Sequence, residues 1–226
     1  MGIDAISRQF ARVYVQRRRV PYRIRVTSPA TETTGSAVAS QWPAILTWRA
    51  HNAPRIESVR VQLTGNRIKA TGRIVGGACA EHAAFSTWYD LLTDDNGVTR
   101  RLSVLTTVAA GERQLSIIRD EEGRSPIELG SKHERLEFAG ALDVDVVLSP
   151  FFNALPIRRL GLLTTEQTVD VPTVYVNLPE VAVREATLTY TSTASGIDVK
   201  SPVADTTLRV DADGFVLDYP GLAERI

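Results

Sequence analysis

Hydrophobic and polar residues alternate through most of the chain beyond residue 41. Val59, Val61 and Leu63 are interleaved with Arg60 and Gln62, and after Gly65-Asn66 the alternation resumes through Ile68, Ala70, Gly72 and Ile74. Two such runs across a Gly-Asn pair predict a β-hairpin. Phe85–Thr93 and Arg100–Val108 predict a second hairpin around Asp94-Asp95-Asn96-Gly97, and Glu112–Arg119 extends the meander to a turn at Asp120–Gly123. Further strand-like runs are Ala141–Leu148, Arg158–Leu163, Thr168–Leu178, Ala182–Thr191 and Thr206–Val210, the last turning at Asp211–Gly214 into Phe215–Tyr219. No stretch in this region carries an amphipathic helix of about twelve residues, and the Pro-rich Ser149–Pro156 segment has room for one short turn. The pattern predicts an all-β domain over residues 42–226, with about ten to twelve strands in a single large antiparallel sheet, curled or closed. A curled sheet of that size can enclose a space too wide for side chains to fill, and hence a ligand cavity.

Residues 1–41 read differently. Ile6, Phe10, Val13 and Tyr14 recur at helical spacing, Val20, Tyr22, Ile24 and Val26 alternate with arginines, and residues 27–41 are rich in Ser, Thr and Ala. Seven arginines stand against Asp4 and Glu32 in the first forty residues, a balance of +5 that the rest of the chain cancels to zero. The expectation is a basic, flexible arm and linker. A basic arm can touch anionic surfaces, but the overall balance of 26 Lys and Arg against 26 Asp and Glu argues against a dedicated nucleic-acid binder.

Composition narrows the class further. With 43% hydrophobic and 23% charged residues the chain is an ordinary globular sequence. No apolar run approaches the ~20 residues of a transmembrane helix. One cysteine and three scattered histidines exclude a disulfide framework and leave no zinc motif, so no metal or cofactor is expected. No secretory pattern is visible, which with the single cysteine gives a cytoplasmic expectation.

No nucleophile elbow, phosphate loop, zinc-protease or dinucleotide motif occurs. The chemistry-bearing residues that remain lie in one stretch. Asp143 and Asp145, two apart on a predicted strand, point to the same face, where paired carboxylates can divide into acid and base. Leu142, Val144 and Val146 take the opposite, core-facing side. Asn153 and Arg158 follow, and Arg158 shares a predicted strand face with Leu160 and Leu162, so a buried Arg158 would need a partner such as Asp143 or Asp145. Asp143, Asp145, Asn153 and Arg158 are therefore the candidate ligand-binding set, with a structural alternative in which Arg158 satisfies turn carbonyls and an aspartate. Trp42, Trp48, Trp88, Tyr89, Tyr175, Tyr190 and Tyr219 are core or cavity-lining aromatics.

The string Leu136–Leu163 (LEFAGALDVDVVLSPFFNALPIRRLGLL), with Val174–Ser192 (VYVNLPEVAVREATLTYTS) and Leu208–Ile226 (LRVDADGFVLDYPGLAERI), resembles the putative glycolipid-binding family of bacteria, a domain of unknown function. The resemblance runs from about Ala44 to Ile226. Ser149 stands where the family has Thr, and Asn96-Gly97-Val98 stands where a Trp is expected before Thr99-Arg100. It implies a spiral β-roll similar to bacterial lipoprotein carriers, and a non-catalytic protein that holds an amphipathic ligand, a lipid or glycolipid. The alternatives are an enzyme on a sugar- or lipid-like substrate using Asp143 or Asp145, and a structural or interaction module.

Overall fold

The computed structural model describes residues 42–119, 126–129, 132–135 and 140–226; the predicted arm and the turn at Asp120–Gly123 lie outside the described residues. The first eight strands are β1 (Ala44–Ala50), β2 (Arg55–Thr64), β3 (Arg67–Gly76), β4 (Phe85–Thr93), β5 (Thr99–Val108), β6 (Gly111–Ile118), β7 (Pro126–Leu129) and β8 (Lys132–Arg135). After β9 (Asp143–Val146), a 3₁₀ turn at Phe151–Asn153 runs into a short helix α1 (Ala154–Arg159). The chain ends with β10 (Thr168–Asn177), β11 (Ala182–Thr193), β12 (Gly196–Lys200), β13 (Asp205–Val210), β14 (Val216–Tyr219) and β15 (Ala223–Arg225).

All of them join one 15-stranded sheet in the order β8-β7-β6-β5-β4-β3-β2-β1-β15-β14-β13-β12-β11-β10-β9. The sheet is two meanders spliced through one long-range ladder, β1 against β15, where Trp48, Arg49 and Ala50 face Arg225, Glu224 and Ala223. Laid flat, fifteen strands at their ordinary spacing would span roughly 65–70 Å. The two outermost strands, β8 and β9, are nevertheless joined by only residues 136–142, a reach of less than about 30 Å even when fully extended. The sheet therefore curls until its edges approach. It is rolled rather than closed, because β8 and β9 form no ladder with each other among the described residues.

Every ladder is antiparallel except one. β9 runs parallel to β10, with Asp143, Val144, Asp145 and Val146 beside Thr173, Val174, Tyr175 and Val176. A parallel neighbour needs a crossover, and the 3₁₀ turn and α1 supply it. The sheet is otherwise the large antiparallel one the sequence predicts, but Arg158–Leu163 is corrected: that stretch is the end of α1 and the turns after it, not a strand. Arg158 and Arg159 thus do not alternate across a pleat but leave the last turn of a helix side by side.

The edge strand β9 buries one face completely, and on the other Asp143 is buried and Asp145 half-buried. Val144 and Val146 join Val174 and Val176 in a large core with Trp48, Tyr89, Phe151, Phe152 and Phe215. The opposite face of β10 joins a second core built from Ile157, Leu162, Leu188, Tyr190, Val199 and Tyr219. A sheet whose end strand is tucked between two cores is a spiral roll. Leu142, expected to face the core, is instead 37% exposed, and its carbonyl accepts a bond from the Thr99 amide.

Helix α1 closes one end of the roll by resting on hairpin turns. In the turn from β4 to β5, the Asp94 carboxylate Oδ1 accepts from the amides of Asn96 and Val98, and Gly97 takes φ +82°. The turn from β13 to β14 repeats this: Asp211 Oδ1 accepts from Asp213 and Phe215, with Gly214 at φ +84°. A side chain at Gly97 would meet Arg159 Cβ at 3.2 Å, and one at Gly214 would meet Arg158 Cγ at 3.1 Å. Both turns need glycine twice over, for the left-handed backbone and for the arginine stems packed on them.

Candidate functional site

A cavity of about 500 Å³ opens on the second face of β9 and β10. Its floor is Asp145 with Tyr175 beside it in register; its walls include Asn153, Leu188 and Tyr219, and the Ser201–Thr206 segment and Gly221–Leu222 complete the rim. Sequence alternation explains the floor. With Val144 and Val146 committed to the large core, residues 143 and 145 must face the other way.

Asp145 is half-buried, and no described residue donates a hydrogen bond to it or pairs with it. Burial alone pushes its carboxyl from 3.8 up to about 7. Its neighbours feel the charge: burial and then Asp145 raise Tyr175 to about 12 and lift the hydroxyls of Tyr190 and Tyr219. The apolar side of the cavity comes from Leu148, Leu188, Leu222 and Val203, the last 67% exposed at the mouth.

The four predicted site residues separate into two pairs. Asp145 and Asn153 line the cavity; Asp143 and Arg158 do not. Asn153 is engaged on both ends of its amide, accepting from the Tyr190 hydroxyl at 3.0 Å and donating to the Pro150 carbonyl at 3.4 Å. Asp143, 1% exposed, is held by Arg159, with Nη2 at 2.5 Å from Oδ2 and Nε at 3.3 Å and 3.2 Å from the two oxygens. Burial pushes the Asp143 carboxyl up, and the guanidinium of Arg159, with Arg119 behind it, pulls it back down. The partner expected of Arg158 thus belongs to its neighbour. Arg158 itself donates to the Asp213 carbonyl and to the Gly65 carbonyl at 2.8 Å, so it ties the turn from β2 to β3 to the turn from β13 to β14. Asp143 and Asp145 share a face as predicted, but the acid–base pair does not form, because only one of them reaches the cavity.

A further group was not anticipated. Glu57 on β2 is 2% exposed, deep in the large core. Its Oε1 accepts from the Tyr89 hydroxyl and from Ser149 Oγ, both at 2.6 Å, while Oε2 has no hydrogen-bond partner among the described residues. Burial, opposed by those hydrogen bonds, raises its carboxyl from 4.5 to about 7. Ser149 lines the cavity and so connects its wall to this carboxyl. It closes a turn in which its amide donates to the Val146 carbonyl at 3.0 Å and Leu148 takes φ +77°, a backbone that costs a residue other than glycine about 1–2 kcal/mol. The phase of β2 could have disclosed Glu57: Val59 and Val61 face inward, and counting back by twos reaches residue 57.

Among the described residues no group of three or more His, Cys, Asp or Glu gathers where a metal ion could sit, and no helix is long and apolar enough to cross a membrane. The arrangement offers one half-buried carboxylate without a partner among the described residues, a second, exposed carboxylate at Asp205, hydroxyls and an apolar wall, which suit hydrogen bonding and enclosure.

Comparison with known proteins matches the fold. A crystal structure of a DUF1089 family protein from Pseudomonas aeruginosa is similar at a TM-score of 0.62 and 26% identity, covering 86% of this chain and 100% of its own. No curated protein matches the chain. The family model described as "Putative glycolipid-binding" matches residues 45–225, the whole of the roll from β1 to β15, and the chain belongs to that family.

Proposed function

We propose that this protein binds one amphipathic molecule, a lipid or glycolipid, without transforming it. The polar end would meet Asp145, Tyr175 and Tyr219, and the apolar part would lie along Leu148, Leu188, Leu222 and Val203. The observation that carries this reading is the Asp145 carboxylate, half-buried at the floor of a 500 Å³ cavity with no donor among the described residues. A buried polar group without a partner is costly, and a ligand hydroxyl would relieve that cost. The volume lies within the range of small-molecule sites, about 300–1,000 Å³, and suits a single head group with a short length of chain rather than an entire two-chain lipid. The family's description favours a glycolipid. Catalysis is the weaker reading because Asp143, the other half of the acid–base pair, is taken up by Arg159.

The test is native mass spectrometry of the full chain expressed in bacteria, with organic extraction of whatever accompanies it and titration with short-chain glycosides. Ala204→Trp places an indole in the cavity wall. One bound amphiphile per chain, lost in Ala204→Trp while the far-ultraviolet circular dichroism is unchanged, is the expected result. Binding that survives in the filled variant, or a wild-type chain that takes up no amphiphile, would overturn the reading.

A further inference from the structure

The polar groups of the cavity have a sign. Among the described residues its lining contains two carboxylates, Asp145 at the floor and Asp205 at the rim, and no lysine, arginine or histidine. The cation nearest in register is Arg184, which stands opposite Tyr175 across the β10–β11 ladder. Its guanidinium lies over the Tyr175 ring at 4.5 Å from the centroid, and the residue is not part of the lining. Lys200, next to Ser201 in the chain, is exposed and is not part of the lining, and Arg158 and Arg159 are spent on turn carbonyls and on Asp143.

An ionised carboxylate only accepts hydrogen bonds, whereas serine and tyrosine hydroxyls donate and accept. A sugar or polyol hydroxyl matches that mixture, giving its proton to Asp145 and accepting from a neighbouring hydroxyl. A phosphate or carboxylate brings acceptors and negative charge to a floor that already holds both. Sites built for anions gather arginine, lysine or helix N-termini, and the described lining has none of them.

We infer that the cavity selects its ligand by charge: it admits a neutral, hydroxylated head group that donates hydrogen bonds to Asp145, and it excludes phosphate and carboxylate head groups. This inference rests on the binding reading above and narrows it, since a lipid-binding roll could as readily hold a phospholipid.

Two probes with the same eight-carbon chain isolate the head group: n-octyl β-D-glucoside and n-octyl phosphate, each titrated into the full chain below its micelle concentration at pH 8.5, where Asp145 carries its charge. Like charges a few ångströms apart at a protein surface weaken binding on the order of 100-fold, so the phosphate should bind about that much more weakly than the glucoside. In Asp145→Asn that ratio should fall to a few-fold. The asparagine keeps the side-chain shape and removes a desolvated charge, so circular dichroism should report an intact fold. Octyl phosphate binding as tightly as the glucoside to the wild type would overturn the inference and leave the binding reading standing. Failure of both probes to bind would remove the binding reading and this inference together. The wild-type ratio decides the matter even if the variant does not fold.

Discussion

Glu57→Gln isolates the buried carboxyl that the cavity wall leans on. In the folded chain Glu57 holds its proton up to about pH 7 against an ordinary 4.5. Each unit of difference corresponds to about 1.4 kcal/mol, so the shift amounts to about 3 kcal/mol. Because the folded value lies above the unfolded one, the folded state binds the proton more tightly. The resulting stability is fully present below about pH 4.5 and is lost progressively as pH rises to about 7. Asp145, raised from 3.8 to about 7, and Asp143 move in the same direction, so the wild-type profile alone cannot assign the effect to one group. The difference between variant and wild type can. The introduced glutamine keeps an oxygen acceptor for Tyr89 and Ser149 and puts an amide nitrogen at the position of Oε2. Denaturant unfolding at about pH 4.5 and about pH 8 should show the variant gaining about 3 kcal/mol on the wild type between the two conditions. A difference that is constant across that range would refute the argument, because it would mean that Glu57 titrates as an ordinary carboxyl or stays ionised throughout.

Three further substitutions probe the frame around the site. Arg159→Ala leaves Asp143 buried without its partner and should cost about 3–5 kcal/mol, whereas exchanging both members for leucine should cost much less, a contrast that a double-mutant cycle by chemical denaturation reads directly. Arg158→Ala removes two charged hydrogen bonds to turn carbonyls and should lower stability by about 2–4 kcal/mol while leaving the affinity of the folded chain for a glycoside within a few-fold in calorimetry. Gly72→Ala would put a methyl group 2.2 Å from Tyr89 Cζ. Tyr89 is fixed by its bond to Glu57, so this change should cost about 1–3 kcal/mol, seen as a lowered thermal midpoint.

The parts of the fold that can be read from the sequence are those set by local rules. The hairpin from β2 to β3 follows from alternation around Gly65-Asn66, and the two Asp-x-x-Gly turns carry their own acceptor and their own left-handed residue. What cannot be read is what depends on partners distant in sequence. The six residues of α1 are too few for a helical period to emerge, and Leu160 and Leu162, two apart, fit a strand face. As a strand, this stretch would turn Arg158 toward Asp143; as a helix, it brings the next guanidinium along the chain there instead. The parallel seating of β9 beside β10 is hidden for the same reason, since the crossover that permits it has no sequence period of its own. Glu57 shows a different failure. Its inward phase is legible from Val59 and Val61, but a glutamate beside the apolar Ile56 invites the opposite assignment, and partners distant in sequence, the hydroxyls of Tyr89 and Ser149 foremost, make its burial tolerable. Asp145 is legible because a strand's two-residue period leaves no freedom: once Val144 and Val146 are inside one core, the carboxyl must face the other way.

This division bears on what the family resemblance can say. Its most specific string, residues 149–160, is taken up almost wholly by the frame. Phe151 and Phe152 pack in the large core, Asn153 anchors Tyr190, and Arg158 and Arg159 fasten the hairpin turns and Asp143. Ser149 and Asn153 touch the cavity, but each is already committed to a protein partner. The other groups that line the cavity come from elsewhere: Asp145 on β9, Tyr175 on β10, residues 201–206 leading from β12 into β13, and the residues following β14. Ser201 is committed to the backbone of Val203 and Ala204, and Asp145 is the half-buried carboxylate without a partner among the described residues. A chain can therefore carry the whole signature and keep the roll while the head group it accepts is set by a handful of positions outside it. For this chain those positions supply negative charge and hydroxyls without a cation among the described lining residues, and on the binding reading proposed above a ligand is to be sought among molecules that such a lining would not repel.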